Sequence, residues 1–246
     1  MKIIDINCRI GAIPVLGNQF TAENLLGSMQ RNGVIAAVVS STIADTVDFA
    51  AGNRLVFQAV EKYQGKANIF GAVTVNTAFP DESIEEMRRY LFNDRMVAIK
   101  VVTGNLKSKL LYSTCELIIN SQRRYAAPVL IHARNAAEVE VIERLAAVFK
   151  TMRFIILGMG EDDWKHAVLA AVANTNISLE LSGRISSDKI DYTLKSLGSH
   201  RLFYGSGLPY TDGSLVKACV ENSNLDEGEK ADIFFNNGKR LLDNKL

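Results

Sequence analysis

The first eleven residues, "MKIIDINCRIG" (1–11), alternate apolar and polar side chains with a period of two. Such alternation predicts a β-strand. The polar positions are Asp5, Asn7 and Arg9, which places three polar side chains, the last a cation, on one predicted face of an apolar strand. A buried polar face needs partners, so this strand is expected to contribute to a polar site.

Seven further apolar, β-branched runs follow at fairly even spacing, and several are apolar on both faces, as strands of a covered parallel sheet are. They are "VIAAVVSS" (34–41), "IFGAVTVN" (69–76), "VAIKVVTG" (97–104), "PVLIHA" (128–133), "RFIILG" (153–158), "ISLELSG" (177–183) and "LFYGSG" (202–207). Helical periodicity lies between most of them, for example in "NAAEVEVIERLAAVF" (135–149). Strand–helix alternation repeated about eight times in 246 residues predicts a single-domain α/β fold, a (β/α)₈ TIM barrel spanning residues 1–246. The alternative is an open doubly wound sheet, but no glycine-rich phosphate turn follows the first strand.

The composition and net charge indicate which partners and which cellular compartment to expect. The net charge is +1, with 28 basic and 27 acidic residues, which favours neither nucleic acid nor a membrane surface as a partner. The three cysteines match no zinc or disulfide spacing and are expected to be reduced thiols. No secretory signal pattern or membrane-spanning apolar run is visible, so we expect a cytoplasmic protein.

In a barrel of this kind the chemistry lies at the carboxyl ends of the strands. Polar side chains stand at several predicted strand ends or in the loops that follow: Asp5, Asn7, Arg9, Lys100, His132, Arg134, Glu180, Ser182, Arg184, Ser206, Tyr210 and Asp212. Ser40, Ser41 and Thr42, after the second strand, fit either ligand contact or turn capping.

Several of these strand ends also resemble a known family. The segment "IIDINCRIG" (3–11) resembles the opening "IDxHxHxG" of the amidohydrolase superfamily, in its amidohydrolase-related branch, which includes enzymes like aminocarboxymuconate-semialdehyde decarboxylase. Six further segments resemble later motifs of that branch in the same order: "VAIKVV" (97–102), "PVLIHA" (128–133), "IILGMGEDDW" (155–164), "NISLELSG" (176–183), "RLFYGSGLPYTD" (201–212) and "FFNNGKRLL" (234–242). The resemblance implies the same (β/α)₈ fold and a homodimer.

The resemblance also implies a divalent metal site, but most of its ligand positions are changed. The paired histidines of the first strand fall on Asn7 and Arg9, the sixth-strand histidine is absent near Met159, and the eighth-strand aspartate falls on Gly207. Only His132 is retained. A guanidinium at ~4 Å from a divalent ion would cost on the order of 8 kcal/mol at an effective dielectric constant near 20. We therefore predict no metal ligands and no cofactor.

Cations that converge where a metal once lay would form a site for a small anion, a carboxylate or a phosphate. The predicted substrate-binding residues are Asn7, Arg9, Lys100, Arg134, Arg184, Tyr210 and Asp212, and the predicted catalytic acid or base is His132. In the alternative interpretation, Arg9 forms an internal salt bridge with Glu180, Asp5 or Asp212.

Two functions remain open. One is a metal-independent hydrolase, lactonase or decarboxylase that acts on a small anionic substrate bound by Arg9, Lys100 and His132. The other is a catalytically inactive relative, a pseudoenzyme that binds a small anion or a protein partner. Fold alone does not separate the two.

Overall fold

The computed structural model describes residues 1–13, 17–103, 109–242 and 245–246. The strands are β1 (Ile3–Ile13), β2 (Asn18–Phe20), β3 (Val34–Ser41), β4 (Ile69–Asn76), β5 (Met96–Val102), β6 (Val129–His132), β7 (Phe154–Leu157), β8 (Ile177–Glu180) and β9 (Leu202–Phe203). The helices are α1 (Ala22–Asn32), α2 (Thr42–Thr46), α3 (Phe49–Tyr63), α4 (Pro80–Tyr90), α5 (Tyr112–Gln122), α6 (Ala136–Val148), α7 (Trp164–Ala173), α8 (Ser187–Leu197), α9 (Gly213–Glu221), α10 (Glu227–Ala231) and α11 (Asn237–Leu242).

One sheet organises the molecule, in the order β2-β1-β3-β4-β5-β6-β7-β8-β9. The pair of β1 and β2 is antiparallel, and all the other pairs are parallel. Backbone hydrogen bonds from Ile6 to Tyr204 and from Gly207 to Asn7 join the chain after β9 to β1. The eight parallel strands therefore close into a barrel, which confirms the predicted (β/α)₈ fold.

Two apolar clusters fill the inside and the outside of this barrel. The inner cluster takes alternate residues of the strands, such as Val38, Phe70 and Leu130, and is closed at one end by Leu241 and Leu242 of α11. The outer cluster packs the other strand faces against the helices. Strands covered on both faces explain the continuous apolar runs in the sequence.

The alternation along β1 is broken by a β-bulge. Ile6 packs in the inner cluster and Cys8 in the outer one, although an unbroken strand would place both on one face. The register against β3 shifts between Asp5 and Cys8. The prediction that Asp5 shares a face with Asn7 and Arg9 is therefore wrong, because one extra residue turns Arg9 inward while Asp5 points to the other side.

No helix in the described part of the chain is long and apolar enough to cross a membrane. The three cysteines are free thiols; Cys8 and Cys115 are buried, and Cys219 is half-buried.

Candidate active site at the barrel mouth

Three charged side chains meet above the inner apolar cluster, at the carboxyl ends of the strands. Arg9 from β1 donates through Nε to Oδ2 of Asp45, at 2.7 Å. Lys100 from β5 donates through Nζ to the same oxygen at 2.6 Å, and to Oγ of Ser40 at 3.1 Å. Asp45 lies on α2, the short helix after β3. The arrangement is a charge cluster, Arg9–Asp45–Lys100, in which two cations share one carboxylate oxygen.

The protonation states in this cluster follow from burial and mutual charge. Burial disfavours ionised Asp45, but the charges of Lys100 and Arg9 and their hydrogen bonds bring its pKa below the ordinary value. Burial likewise opposes the charge on Arg9, but Asp45 holds the pKa of the guanidinium above its usual range. Burial, and then the charge of Arg9, lower the pKa of Lys100 to about 8. Near neutral pH the cluster therefore contains two cations and one anion.

His132, at the end of β6, lies beside this cluster and is partly exposed. Its Nε2 atom is 3.2 Å from Nη2 of Arg9. Because a guanidinium only donates hydrogen bonds, Nε2 accepts here and the ring proton belongs on Nδ1. Burial and the charges of Arg9 and Lys100 lower the pKa of His132 to about 3, so the ring is neutral at physiological pH.

Arg9 keeps unused hydrogen-bonding capacity. Of the five N–H donors of its guanidinium, one contacts Asp45 and one contacts His132, and the structure gives the other three no partner among the described residues. The half-exposed Tyr210 covers the solvent side, with its ring centroid 5.5 Å from Cζ of Arg9. A two-pronged donor is thus held in place beneath an aromatic ring.

The other side of the mouth is a neutral hydrogen-bond network around Glu180, the last residue of β8. Its Oε2 accepts from Nδ2 of Asn7 at 3.0 Å, from the backbone N–H of Gly158 at 3.0 Å and from Oγ of Ser182 at 2.8 Å. Its Oε1 accepts from the backbone N–H of Ser182 at 2.7 Å. Gly205 permits this packing, since a Cβ atom there would overlap the Glu180 carboxylate.

Burial raises the pKa of Glu180 to about 7, although the four hydrogen bonds act in the opposite direction. Nδ2 of Asn7 also donates to Oγ of Ser182 at 3.0 Å, so the network fixes the orientation of the Asn7 amide. Asp5 lies behind it and accepts from the backbone N–H groups of Asn7 and Ser206, both at 3.0 Å.

The structure brings together some of the predicted site residues and not others. Arg9, Lys100, His132 and Tyr210 form one group, and Asn7 stands beside them on β1. Arg134 instead pairs with Glu138 one turn into α6, and Arg184 forms an exposed pair with Asp162 at 3.1 Å. Asp212 accepts a hydrogen bond from the N–H of Ser214 and caps α9.

The partner of Arg9 was not among the predicted residues. The internal salt bridge that we had considered involved Glu180, Asp5 or Asp212, whereas the structure pairs Arg9 with Asp45. The available signal was the segment "SSTIADT" (40–46), in which serine and threonine precede an acid in the first turn of a helix. That pattern is common at helix starts, so it does not single out Asp45.

Comparisons with known proteins establish the fold. Neither protein-family models nor curated protein sequences match this chain. Among solved structures, a suspected amidohydrolase from Staphylococcus aureus matches with a TM-score of 0.79 and 14% identity, over 98% of this chain and 99% of that one. A dihydroxybenzoic acid decarboxylase from Polaromonas sp. JS666, with bound manganese and the inhibitor 2-nitroresorcinol, has a TM-score of 0.78 and 14% identity, over 98% and 96%. A 5-carboxyvanillate decarboxylase from Novosphingobium aromaticivorans, complexed with manganese and 4-hydroxy-3-methoxy-5-nitrobenzoic acid, has a TM-score of 0.77 and 13% identity, over 98% and 95%.

The manganese in two of these structures corrects our prediction of no divalent metal cofactor, because proteins with this fold do carry one. The prediction counted ligands only at the strand ends of the resembling motifs. It did not count acids contributed by the helix after β3, and Asp45 is such an acid at this mouth.

The described side chains nevertheless do not fit a divalent ion as they are arranged. No group of three or more His, Cys, Asp and Glu side chains within 1–13, 17–103, 109–242 and 245–246 is placed to hold a metal. The two nearest candidate ligands, His132 and Asp45, both accept hydrogen bonds from Arg9. The resemblance to the amidohydrolases is thus confirmed at the level of the fold: this chain is a (β/α)₈ barrel built like those of the amidohydrolases and related decarboxylases.

Proposed function

We propose that this chain binds a small carboxylate at the barrel mouth and that Arg9 makes the main contact. The observation that carries the proposal is the state of Arg9, a buried guanidinium fixed by Asp45 with three N–H donors to spare in the described structure. A carboxylate matches that two-pronged geometry.

The charge balance of the cluster supports the same conclusion. Arg9 and Lys100 are both buried, and they share the single carboxylate of Asp45, while His132 is neutral. Glu180 receives its hydrogen bonds from neutral donors and forms no ion pair with either cation among the described residues, although its charge acts on Arg9 from a distance. Buried charge without a counter-ion is costly, and a bound anion would supply the missing negative charge.

The reaction that this environment favours is one in which negative charge builds up on a substrate oxygen. Hydrolysis of an ester or a lactone forms such an oxyanion, and decarboxylation of an oxo acid leaves an enolate oxygen. Fixed cations stabilise both, because they are already oriented before the charge develops. The decarboxylases among the structural neighbours support decarboxylation as a class of reaction, although the acids in their names are aromatic and not oxo acids. No step proposed here depends on a metal ion.

His132 has a restricted part in this scheme. Its Nε2 lone pair is taken by Arg9, and the neutral ring can donate only through Nδ1. A ligand carboxylate beside Arg9 would offset the positive field and raise the pKa of His132, so that proton transfer becomes easier after binding than before.

The contact between Arg9 and Nε2 of His132 also favours a second candidate function. Because Arg9 occupies Nε2 of the neutral His132, which is the predicted acid or base, a protein that binds the anion without transforming it fits the geometry as well. The two candidates differ in turnover and not in binding.

The binding step is tested by isothermal titration calorimetry with acetate, propionate and benzoate. The wild type is expected to bind at least one of them, and Arg9→Gln is expected to weaken binding by at least about tenfold, the lower range for a charge-assisted contact. Arg184→Gln is the matched control, because that arginine lies in an exposed pair, and its affinity should equal that of the wild type. Each titration is run with a chelator and again with added manganese, so that a metal requirement is read separately.

Arg9→Lys guards against a folding defect, because it keeps the charge and removes the two-pronged contact. A folded Arg9→Gln or Arg9→Lys variant with wild-type affinity would overturn the proposal, as would the absence of carboxylate binding in both metal conditions. Product analysis by mass spectrometry with ester, lactone and oxo-acid panels then separates the enzyme from the binding protein.

A further inference from the structure

One of the two carboxylate oxygens of Asp45 makes no hydrogen bond to the described residues. Its Oδ2 accepts from both Arg9 and Lys100, whereas its Oδ1 is buried and has no hydrogen-bond partner among the described residues. The side chain is 15% exposed and lies in the first turn of α2, directly beside the guanidinium.

An ionised oxygen without a donor is unusual in a folded protein. The two cations keep Asp45 ionised, so that Oδ1 carries negative charge and only accepts hydrogen bonds. Buried polar atoms that lack a partner call for a specific explanation, and a missing ligand is one such explanation.

Two neighbouring polar side chains, Ser40 and His132, are already committed, and none of the remaining N–H donors of Arg9 and Lys100 bonds to Oδ1 of Asp45. Ser40 is 3.1 Å from Nζ of Lys100 and directs its own hydroxyl to the carbonyl of Cys8 at 3.5 Å. His132 faces Arg9 through Nε2. The described residues around Asp45 therefore leave the second oxygen for a donor from outside.

Resting on the carboxylate site proposed above, we infer that the ligand is a hydroxycarboxylate, and that Asp45 is the residue that selects its hydroxyl group. The carboxylate occupies the unused N–H donors of Arg9, and the neighbouring hydroxyl donates to Oδ1 of Asp45. A hydroxyl fits better than an ammonium group, because Arg9 and Lys100 would repel a third cation at this place. Asp45 thus has two roles: its Oδ2 pairs with Arg9 and Lys100, and its Oδ1 accepts a hydrogen bond from the ligand.

The experiment compares matched pairs of ligands that differ by one hydroxyl: glycolate with acetate, lactate with propionate, and mandelate with phenylacetate. Isothermal titration calorimetry on the wild type is expected to show at least tenfold tighter binding of the hydroxy acid in one or more pairs, the lower limit for a hydrogen bond to a charged acceptor. In Asp45→Asn, which keeps the size and removes the charge, this ratio is expected to fall toward one.

The outcomes separate this inference from the proposal beneath it. If no carboxylate binds, the proposed function fails and this inference fails with it. If both members of every pair bind equally well, the carboxylate site stands and the role of Asp45 is overturned. A folded Asp45→Asn variant that keeps the wild-type preference overturns it too. Should Asp45→Asn not fold, the comparison of the pairs on the wild type decides alone.

Discussion

Two carboxylates line the same barrel mouth, the buried Glu180 and the half-buried Asp45, and they are held in different ways. Glu180 accepts four hydrogen bonds from neutral donors, which fill both of its oxygens. Asp45 accepts from two cations on one oxygen and leaves the other without a partner in the described structure. A fully satisfied carboxylate acts as a support that orients Asn7 and the strand ends. Asp45 lies between two cations and has one oxygen without a partner among the described residues, so a ligand is expected beside it.

The largest expected effect is a loss of stability when Asp45, the counter-ion of Arg9 and Lys100, is removed. Asp45→Ala leaves Arg9 and Lys100 buried without a counter-ion, and we expect it to lower the free energy of unfolding by about 3–5 kcal/mol. Urea denaturation followed by circular dichroism measures this change.

The matched control removes an acid from an exposed pair. Asp162 pairs with Arg184, and both side chains are more than three-quarters exposed, so Asp162→Ala should change the free energy of unfolding by less than about 1 kcal/mol. Equal effects of the two alanine substitutions would contradict the difference between a buried cluster and a surface pair.

A smaller effect is expected from the pH dependence of Glu180. Its pKa is about 7 in the folded chain and 4.5 in the reference state, so the native protein retains a proton that the unfolded chain has lost. The free energy of unfolding should therefore decrease as pH rises through this window, by roughly 3 kcal/mol in total. Glu180→Gln cannot titrate, and the stability of the wild type relative to this variant should fall between pH 4.5 and 7.

Glu138 provides the control of opposite sign. Although burial acts to raise its pKa, Arg134 lowers it below the ordinary value, so this carboxylate stabilises the native state above its unfolded pKa and loses that effect as pH falls. The stability of the wild type relative to Glu138→Gln should accordingly rise with pH over the acidic range. The same sign for both glutamates would show that the mouth does not perturb Glu180 as described.

The fold could be predicted from the sequence because it depends on local patterns. Each apolar run between helical segments became a strand of the barrel, since strands covered on both faces need apolar residues at nearly every position. The helices α2 and α3, which lie between β3 and β4, were not predicted. Gly52 and Asn53, which are poor helix formers, lie in the buried face of α3.

The site was predictable only in part, because its key contacts join residues far apart in sequence. Arg9, Lys100 and His132 were found because strand ends meet at one edge of a barrel. Asp45 was missed because its helix was missed. The β-bulge turns Arg9 into the barrel and Asp5 away from it, yet the residues of "IDINCR" (4–9) still alternate between apolar and polar. The alternation in the sequence therefore could not show which face of the strand each side chain occupies.

The most direct test of the anion-binding account is the pKa of the His132 ring. The chain has three histidines, so His132→Asn identifies its signal in an NMR titration. Burial and the charges of Arg9 and Lys100 should keep this imidazole neutral from pH 8 down to pH 5, with a pKa of about 3, and saturating carboxylate should raise that pKa. A ring that titrates near its ordinary value of 6.5 without ligand, or that does not respond to any bound carboxylate, would contradict the account.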